Sequence, residues 1–305
     1  ILLERNKKRN GPIFSLHEEY DANYSKDAKF EVYNKKFWLN EENIKLTEIA
    51  SQKLRKYFNY EKNIDLNDIL DLNKWAWYFA VADINSYFHG LAPKSVKFYY
   101  NPINGVFEPI GFDGHRSVKN YSKFYDWENQ LSRHGPSSLE IAKSCKEIPV
   151  LNKCDYFIYN FFYKKNGELN TEFYEKYRNA ILKISSKKFL DNFFNKRKKQ
   201  INKINSKIYG DYFFVDHLFF YGPGLYFFEK QDFYKKANLL LNAIKSEDER
   251  VFVQQNQEKI IIQNSSINNN NLLIKEIHCT GRVSQKSKKI NLNYNFNGNP
   301  KKVMK

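Results

Sequence analysis

Along residues 41–58 the apolar side chains Ile44, Ile49, Leu54 and Phe58 fall among charged ones at helical intervals, so an amphipathic helix is predicted there. A second helix is predicted from Asp65, with Asn67 or Asp68 as its N-cap; from Trp75 to Ala82 it is apolar on nearly every side, the pattern of a buried helix. That pattern runs out over residues 83–88, and His89-Gly90 with Pro93 marks an irregular loop. Alternation then takes over. Val96, Phe98 and Tyr100 share one face, an Asn101–Gly105 turn follows, and residues 106–112 form a second strand-like run, which predicts a β-hairpin. Pro109 interrupts the second arm and assigns it to a sheet edge or a bulge. Strand pieces are expected over residues 13–16 and 29–39. Residues 120–250 read as mostly helical, with breaks at Gly135-Pro136, Asn166-Gly167, Gly210 and Gly222-Pro223-Gly224. Short strands return over residues 251–253, 259–263, 272–278 and 289–296. The expected fold class is therefore α+β, with one body over residues 1–250 and a basic β-rich segment over 251–305 that begins a further module.

Composition narrows the classes. The 26 Phe and 22 Tyr in 305 residues argue against wholesale disorder, and 12 Gly are too few for a collagen-like chain. Cys145, Cys154 and Cys279 lie far apart and form no CxxC pair, which removes a disulfide framework and a four-cysteine zinc site. The aromatic-rich residues 209–228 are long enough to span a bilayer, but Asp211, Asp216, His217 and the Gly222-Pro223-Gly224 break rule that out. The chain opens on Ile1 and its one methionine is Met304, so further residues are expected upstream.

Fifty Lys and Arg against 34 Asp and Glu give a net charge of +16. Lysine dominates, among many Asn, Ile, Tyr and Phe, a mixture that an AT-rich genome also produces. The densest block, residues 187–207, interleaves Lys and Arg with Phe and Ile at helical spacing and reads as a surface helix with snorkelling lysines; the competing reading is a patch for phosphate-rich partners. Nucleic acid is the weakest partner class, because no recognisable DNA- or RNA-binding module is present.

A hairpin returns the chain to where it began, so Asp113-Gly114, beyond the second arm, comes back beside the loop that holds His89 and Ser95. Phosphoryl transfer uses such an arrangement: a loop supplies a base, a carboxylate chelates Mg²⁺ between phosphates, and a glycine lets the chain turn away behind it. An Asp-Gly after a strand is also an ordinary turn. The wording of residues 94–102 (KSVKFYYNP) and 105–113 (GVFEPIGFD) resembles the CotH family of atypical, kinase-like proteins, as does Arg9-Asn10-Gly11-Pro12-Ile13 with Glu18 and Glu19 beyond it. That resemblance covers roughly residues 1–125 and, by helical character alone, 126–250.

The resemblance implies an atypical protein-kinase-like fold with a mainly helical C-terminal lobe. It also implies transfer of the γ-phosphoryl group of ATP, with Mg²⁺, to Ser or Thr of a protein substrate at the cell surface or envelope. In that frame Asp113 is the Mg²⁺ ligand, Ser95 stands at a second metal- and nucleotide-facing position, and Asp83 or His89 is the base. Arg116 and Lys119, just past Asp113, are placed to neutralise phosphate. Three departures stand beside this. Ser95 replaces the Asn of many members, Asp113-Gly114-His115 replaces an Asp-x-Asp, and the position nearest the usual catalytic Asp is closer to His89 than to Asp83; Ile13-Phe14-Ser15 also offers no lysine for ATP. They leave open the alternative of a catalytically weak pseudokinase or scaffold that holds an acidic polymer or phosphoprotein on its basic surface.

Overall fold

The computed structural model describes residues 7–16, 30–58, 64–86, 88–91, 95–111, 137–147, 156–164, 167–212, 230–248, 251–255, 260–264, 272–279, 288–296 and 302–304. Helix and strand are mixed, as an α+β chain requires. Strands β1 (Ile13–Leu16), β2 (Phe30–Val32), β3 (Lys97–Asn101) and β4 (Val106–Ile110) form one antiparallel sheet in the order β2-β1-β3-β4. The helices are α1 (Lys35–Trp38), α2 (Ile44–Phe58), α3 (Leu72–Asn85), α4 (Ser138–Glu147), α5 (Tyr156–Phe162), α6 (Thr171–Ile184), α7 (Lys187–Tyr212) and α8 (Lys230–Asp248).

Helix α3 is the organiser because it has almost no polar face to spend on water. Trp75, Ala76, Phe79 and Ala80 are completely buried. Around them gather Phe98 and Phe107 of the hairpin, Phe157 and Phe161 of α5 and Phe173 of α6. Ring centroids lie 5.4 Å apart for Trp75 and Phe98, 5.1 Å for Trp75 and Phe161, 4.8 Å for Phe79 and Phe161 and 4.9 Å for Phe161 and Phe173. Edge-on and tilted packing suits the ring quadrupoles and adds to the area buried. The indole N–H of Trp75 is satisfied too, donating to the carbonyl of Phe107 at 3.0 Å. The hairpin thus packs on the helix of Trp75 and Phe79, as its apolar alternation predicts.

Pro109 sits on β4, the edge strand. The outer side of that edge is partly covered, since Phe107 N donates to Ile69 O at 2.7 Å and Asp71 N to Phe107 O at 2.9 Å. The lead-in to β1 presses so closely on β3 that a Cβ on Gly11 would lie 2.2 Å from the Tyr100 carbonyl oxygen. Only glycine fits there.

Several local expectations are corrected. The N-cap of α3 is Asp71, whose side chain accepts from Lys74 N at 3.1 Å, because residues 66–68 close into a 3-10 turn capped by Asp65 instead. Of the expected strand over residues 29–39, the described part from Phe30 is strand only over β2; a left-handed Asn34 then turns the chain into α1. Helix α7 runs through Gly210, a residue that weakens a helix without ending it.

The chain divides into two compact units, Ile1–Leu240 and Leu241–Lys305, the division falling within α8. The second unit contains β5 (Val251–Gln255), β6 (Ile260–Asn264), β7 (Leu272–Cys279), β8 (Lys288–Phe296) and β9 (Lys302–Met304), paired as β5-β6-β9 and β7-β8. Strand β9 had no counterpart in the sequence pattern. Among the described residues no helix is long and apolar enough to cross a membrane.

Candidate functional site

The hairpin register is Lys97 opposite Ile110 through Asn101 opposite Val106. Its turn is closed by Gly105 N donating to Asn101 O at 2.9 Å, with Gly105 at φ 68°, a left-handed conformation that glycine accepts without strain. Ser95, two residues before β3, and Gly111, just after β4, therefore lie at one end of the sheet, and Ser95 is buried. Asp113, Arg116 and Lys119 lie outside the described residues. The backbone of His89 belongs to a 3-10 turn, Phe88–Leu91, which is tied to α3 where the Tyr78 hydroxyl donates to Gly90 O.

Asp83 is not on the loop where a base was expected. It occupies the last turn of α3, which continues to Asn85 and ends on a left-handed Ser86, and its side chain is wholly buried. Ser138 donates to its Oδ1 from both the backbone N, at 2.9 Å, and Oγ, at 2.8 Å; the Tyr177 hydroxyl donates to Oδ2 at 2.6 Å. Asp83 thereby caps the start of α4 and ties α3 to α6. Burial raises its pKa from the usual value to about 6, against the opposing pull of the Tyr177 and Ser138 hydrogen bonds and the charge of Lys236. Burial and the neighbouring Asp83 push the Tyr177 phenol well above its ordinary range. A general base must come within hydrogen-bond reach of its substrate, and an enclosed carboxylate with three donors in place does not. Asp83 is a structural anchor, and His89 remains as the base candidate.

On the other side of α3 a cavity of about 590 Å³ opens between that helix and the hairpin. Its polar centre is Glu108, only 3% exposed. Lys8 Nζ donates to Glu108 Oε2 at 2.6 Å; Lys74 Nζ and Asn101 Nδ2 both donate to Oε1 at 2.7 Å. Lys74 Nζ also meets Asp71 Oδ2 at 2.7 Å, so the N-cap of α3 doubles as a clamp. Burial pushes the Glu108 carboxyl up, but its bonds to Lys74, Lys8 and Asn101 outweigh that and hold it below the usual carboxylate range. Burial lowers Lys74, and Asp71 with Glu108 more than reverse it, leaving its pKa raised. Trp77, Tyr78, Tyr99, Val81 and Ile110 supply the apolar walls.

Nothing in the sequence pattern singled out Lys8, Lys74 or Glu108. The available signal was Glu108 itself, a carboxylate in a strand directly opposite Tyr99, where a counter-charge is required. Which lysines answer it depends on contacts 100 residues apart in the chain for Lys8 and 34 for Lys74. Chemically, two ammonium groups bridged by Glu108, one of them also clamped by Asp71, stand beside aromatic walls in a space open to a small ligand. The cavity reaches Pro109 and Ile110, where the chain leaves β4 toward Asp113, and its wall residue Tyr78 holds the turn containing His89. No protein-family model matches this chain, and comparison with curated proteins gives no match.

Proposed function

We propose that this chain is an atypical protein kinase of the CotH type, with a kinase-like fold, which transfers the γ-phosphoryl group of Mg-ATP to Ser or Thr of a protein. The observation that carries this reading is the hairpin register, which returns the chain to the level of Ser95 beside a cleft holding the Lys8–Glu108–Lys74 bridge. A lysine paired to glutamate and facing phosphates is a recurring part of kinase sites. The cleft volume falls within the roughly 300–1,000 Å³ of small-molecule sites. Lys8 and Lys74 would meet the phosphates, with Trp77, Tyr78 and Ile110 against the base. Following the resemblance, Asp113 and Ser95 would hold Mg²⁺, Arg116 and Lys119 would add positive charge, and His89 would take the acceptor's proton. A magnesium ion bound there would neutralise charge between the phosphates.

The test is calorimetric titration with Mg-ATP beside a γ-phosphate transfer assay, on the unaltered chain and on Asp113→Asn. Transfer that falls by roughly a hundredfold or more in Asp113→Asn supports the reading, since one charge has left the metal site. Unchanged binding and transfer in that variant would sink it. Tight Mg-ATP binding with no transfer by the unaltered chain selects the alternative, a pseudokinase that serves as a scaffold.

A further inference from the structure

Helix α7 is anchored over its first two turns and exposes most of its residues from 195 to 207, with Ile201 and Asn205 half-buried on the inner face. Leu190 and Phe194 are buried, and Phe194 lies 5.5 Å from the ring of Phe233 on α8. Asp191 accepts from the Tyr234 hydroxyl at 2.5 Å and pairs with Lys187 at 3.1 Å. From Asn195 to Gln200 every residue is exposed, as are 202–204, 206 and 207. This stretch carries Lys196, Arg197, Lys198, Lys199, Lys203 and Lys207, while no carboxylate lies on the helix between Asp191 and Asp211.

The spacing of these cations is not random. Lys196, Lys199, Lys203 and Lys207 are separated by three, four and four residues, which sets them in a row on one face over about 16 Å of helix. Beside the row the helix exposes Phe193, at 40%, and Ile204, at 50%, three turns apart and on the same side. Phe193, Lys196, Arg197 and Gln200, with Phe189 and Asn192, line a shallow depression of about 560 Å³, and Arg197 lies 5.0 Å from the Phe193 ring centre.

We propose that this face of α7 docks on an anionic lipid surface, lying in the plane of the headgroups. The lysine row supplies the charge complementarity, and Phe193 and Ile204 supply apolar side chains at the depth where headgroups give way to acyl chains. Lysine stems are long enough to keep their ammonium groups at phosphate level while the apolar residues sit deeper. A nucleic acid would match the charges but leaves Ile204, an aliphatic side chain that cannot stack on a base, without a role.

The full chain is tested by flotation with vesicles of phosphatidylcholine alone and with about one-third phosphatidylglycerol, in low and high salt. Binding to the anionic vesicles only, lost at high salt, is expected. Replacing the four lysines of the row by Gln should cut partitioning roughly tenfold or more, and Phe193→Ser with Ile204→Ser should cut it severalfold without changing weak binding to single-stranded DNA. Acetylation of the unaltered chain, read by peptide mass spectrometry, gives an answer that needs no variant: anionic vesicles should protect Lys196, Lys199, Lys203 and Lys207 but not Lys187. Equal binding to neutral vesicles, unprotected lysines, or full retention in the four-lysine variant would overturn the proposal. So would loss of DNA binding and lipid binding together in the serine variant, or lipid binding indifferent to it, which would assign the face to soluble polyanions.

Discussion

The two ends of α3 each hold a carboxylate out of water, and they do so by opposite means. Asp83, near the C-terminal end, is met by neutral donors, Ser138 and Tyr177, in a closed space. Glu108, against the N-terminal end, is met by two ammonium groups and an amide at the wall of an open cleft. Burial raises the proton affinity of both, yet it prevails only at Asp83, which is fully enclosed and touched by neutral donors with the Lys236 charge a lesser pull, whereas Glu108 lies at an open cleft and is bonded directly by two cations. A carboxylate sealed among neutral donors joins helices. One bridged by cations at a cavity wall places a balanced set of charges where a ligand can reach it.

The largest effect expected from breaking this contrast is at Asp83. Asp83→Ala removes the cap of α4 and strands the Tyr177 hydroxyl and Ser138 N–H in the core, for a loss of about 3 kcal/mol in denaturant unfolding at neutral pH. A loss below about 1 kcal/mol would mean that water replaces the carboxylate and that the site is not closed.

The next effect is a pH dependence with a defined sign. The folded-state pKa of Asp83 is raised to about 6 from 3.8, so the folded chain holds this proton over a window in which the unfolded chain has lost it. Its contribution to stability is therefore greatest at low pH and declines as pH rises from about 4 through 6, then stays level. Asp83→Asn has no such proton, and the stability difference between it and the unaltered chain should shift by about 2 kcal/mol between pH 4 and pH 7. Glu108 runs the other way. Its folded pKa is lowered, so the stabilisation it gives is present above 4.5 and is lost as pH falls below that. Parallel slopes in Asp83→Asn and Glu108→Gln would contradict the contrast.

Local rules made the hairpin and the buried helix legible before any coordinates: alternation over Val96, Phe98 and Tyr100, an Asn-Gly turn, and an apolar run with no polar face. Position in a loop or in a helix's last turn was not legible at Asp83, because the apolar pattern fades there while the backbone hydrogen bonds continue to Asn85. The role of Asp71 was missed because Asp65, Asn67 and Asp68 compete as caps in sequence and only the 3-10 turn decides between them. The cleft was missed for a different reason. Lys8, Lys74 and Glu108 are ordinary charged residues, distant in sequence, whose meaning comes from the antiparallel pairing of β1 with β3 and of β3 with β4. Of the expected site, Ser95 and the return end of the hairpin are brought to one end of the sheet, whereas Asp83 is enclosed between Ser138 and Tyr177.

The smallest effects belong to the cleft itself and measure how its charges are shared. Glu108→Gln keeps the shape and an acceptor oxygen but leaves two ammonium groups facing an amide, for a loss of about 1–2 kcal/mol. Within that loss, double-mutant cycles with Lys74→Gln and Lys8→Gln should give couplings of about 1 kcal/mol or less, because both lysines keep contact with solvent and water screens them. The coupling to Lys74 should be the larger. Lys74 stands on a helix and is already clamped by Asp71, so little freedom is lost when it meets Glu108, whereas Lys8 reaches in from an irregular segment. If Lys8 proves the stronger partner, the ordering force in the cleft comes from the chain leading into β1, and a ligand that displaces Lys8 would loosen that segment instead of simply filling the space.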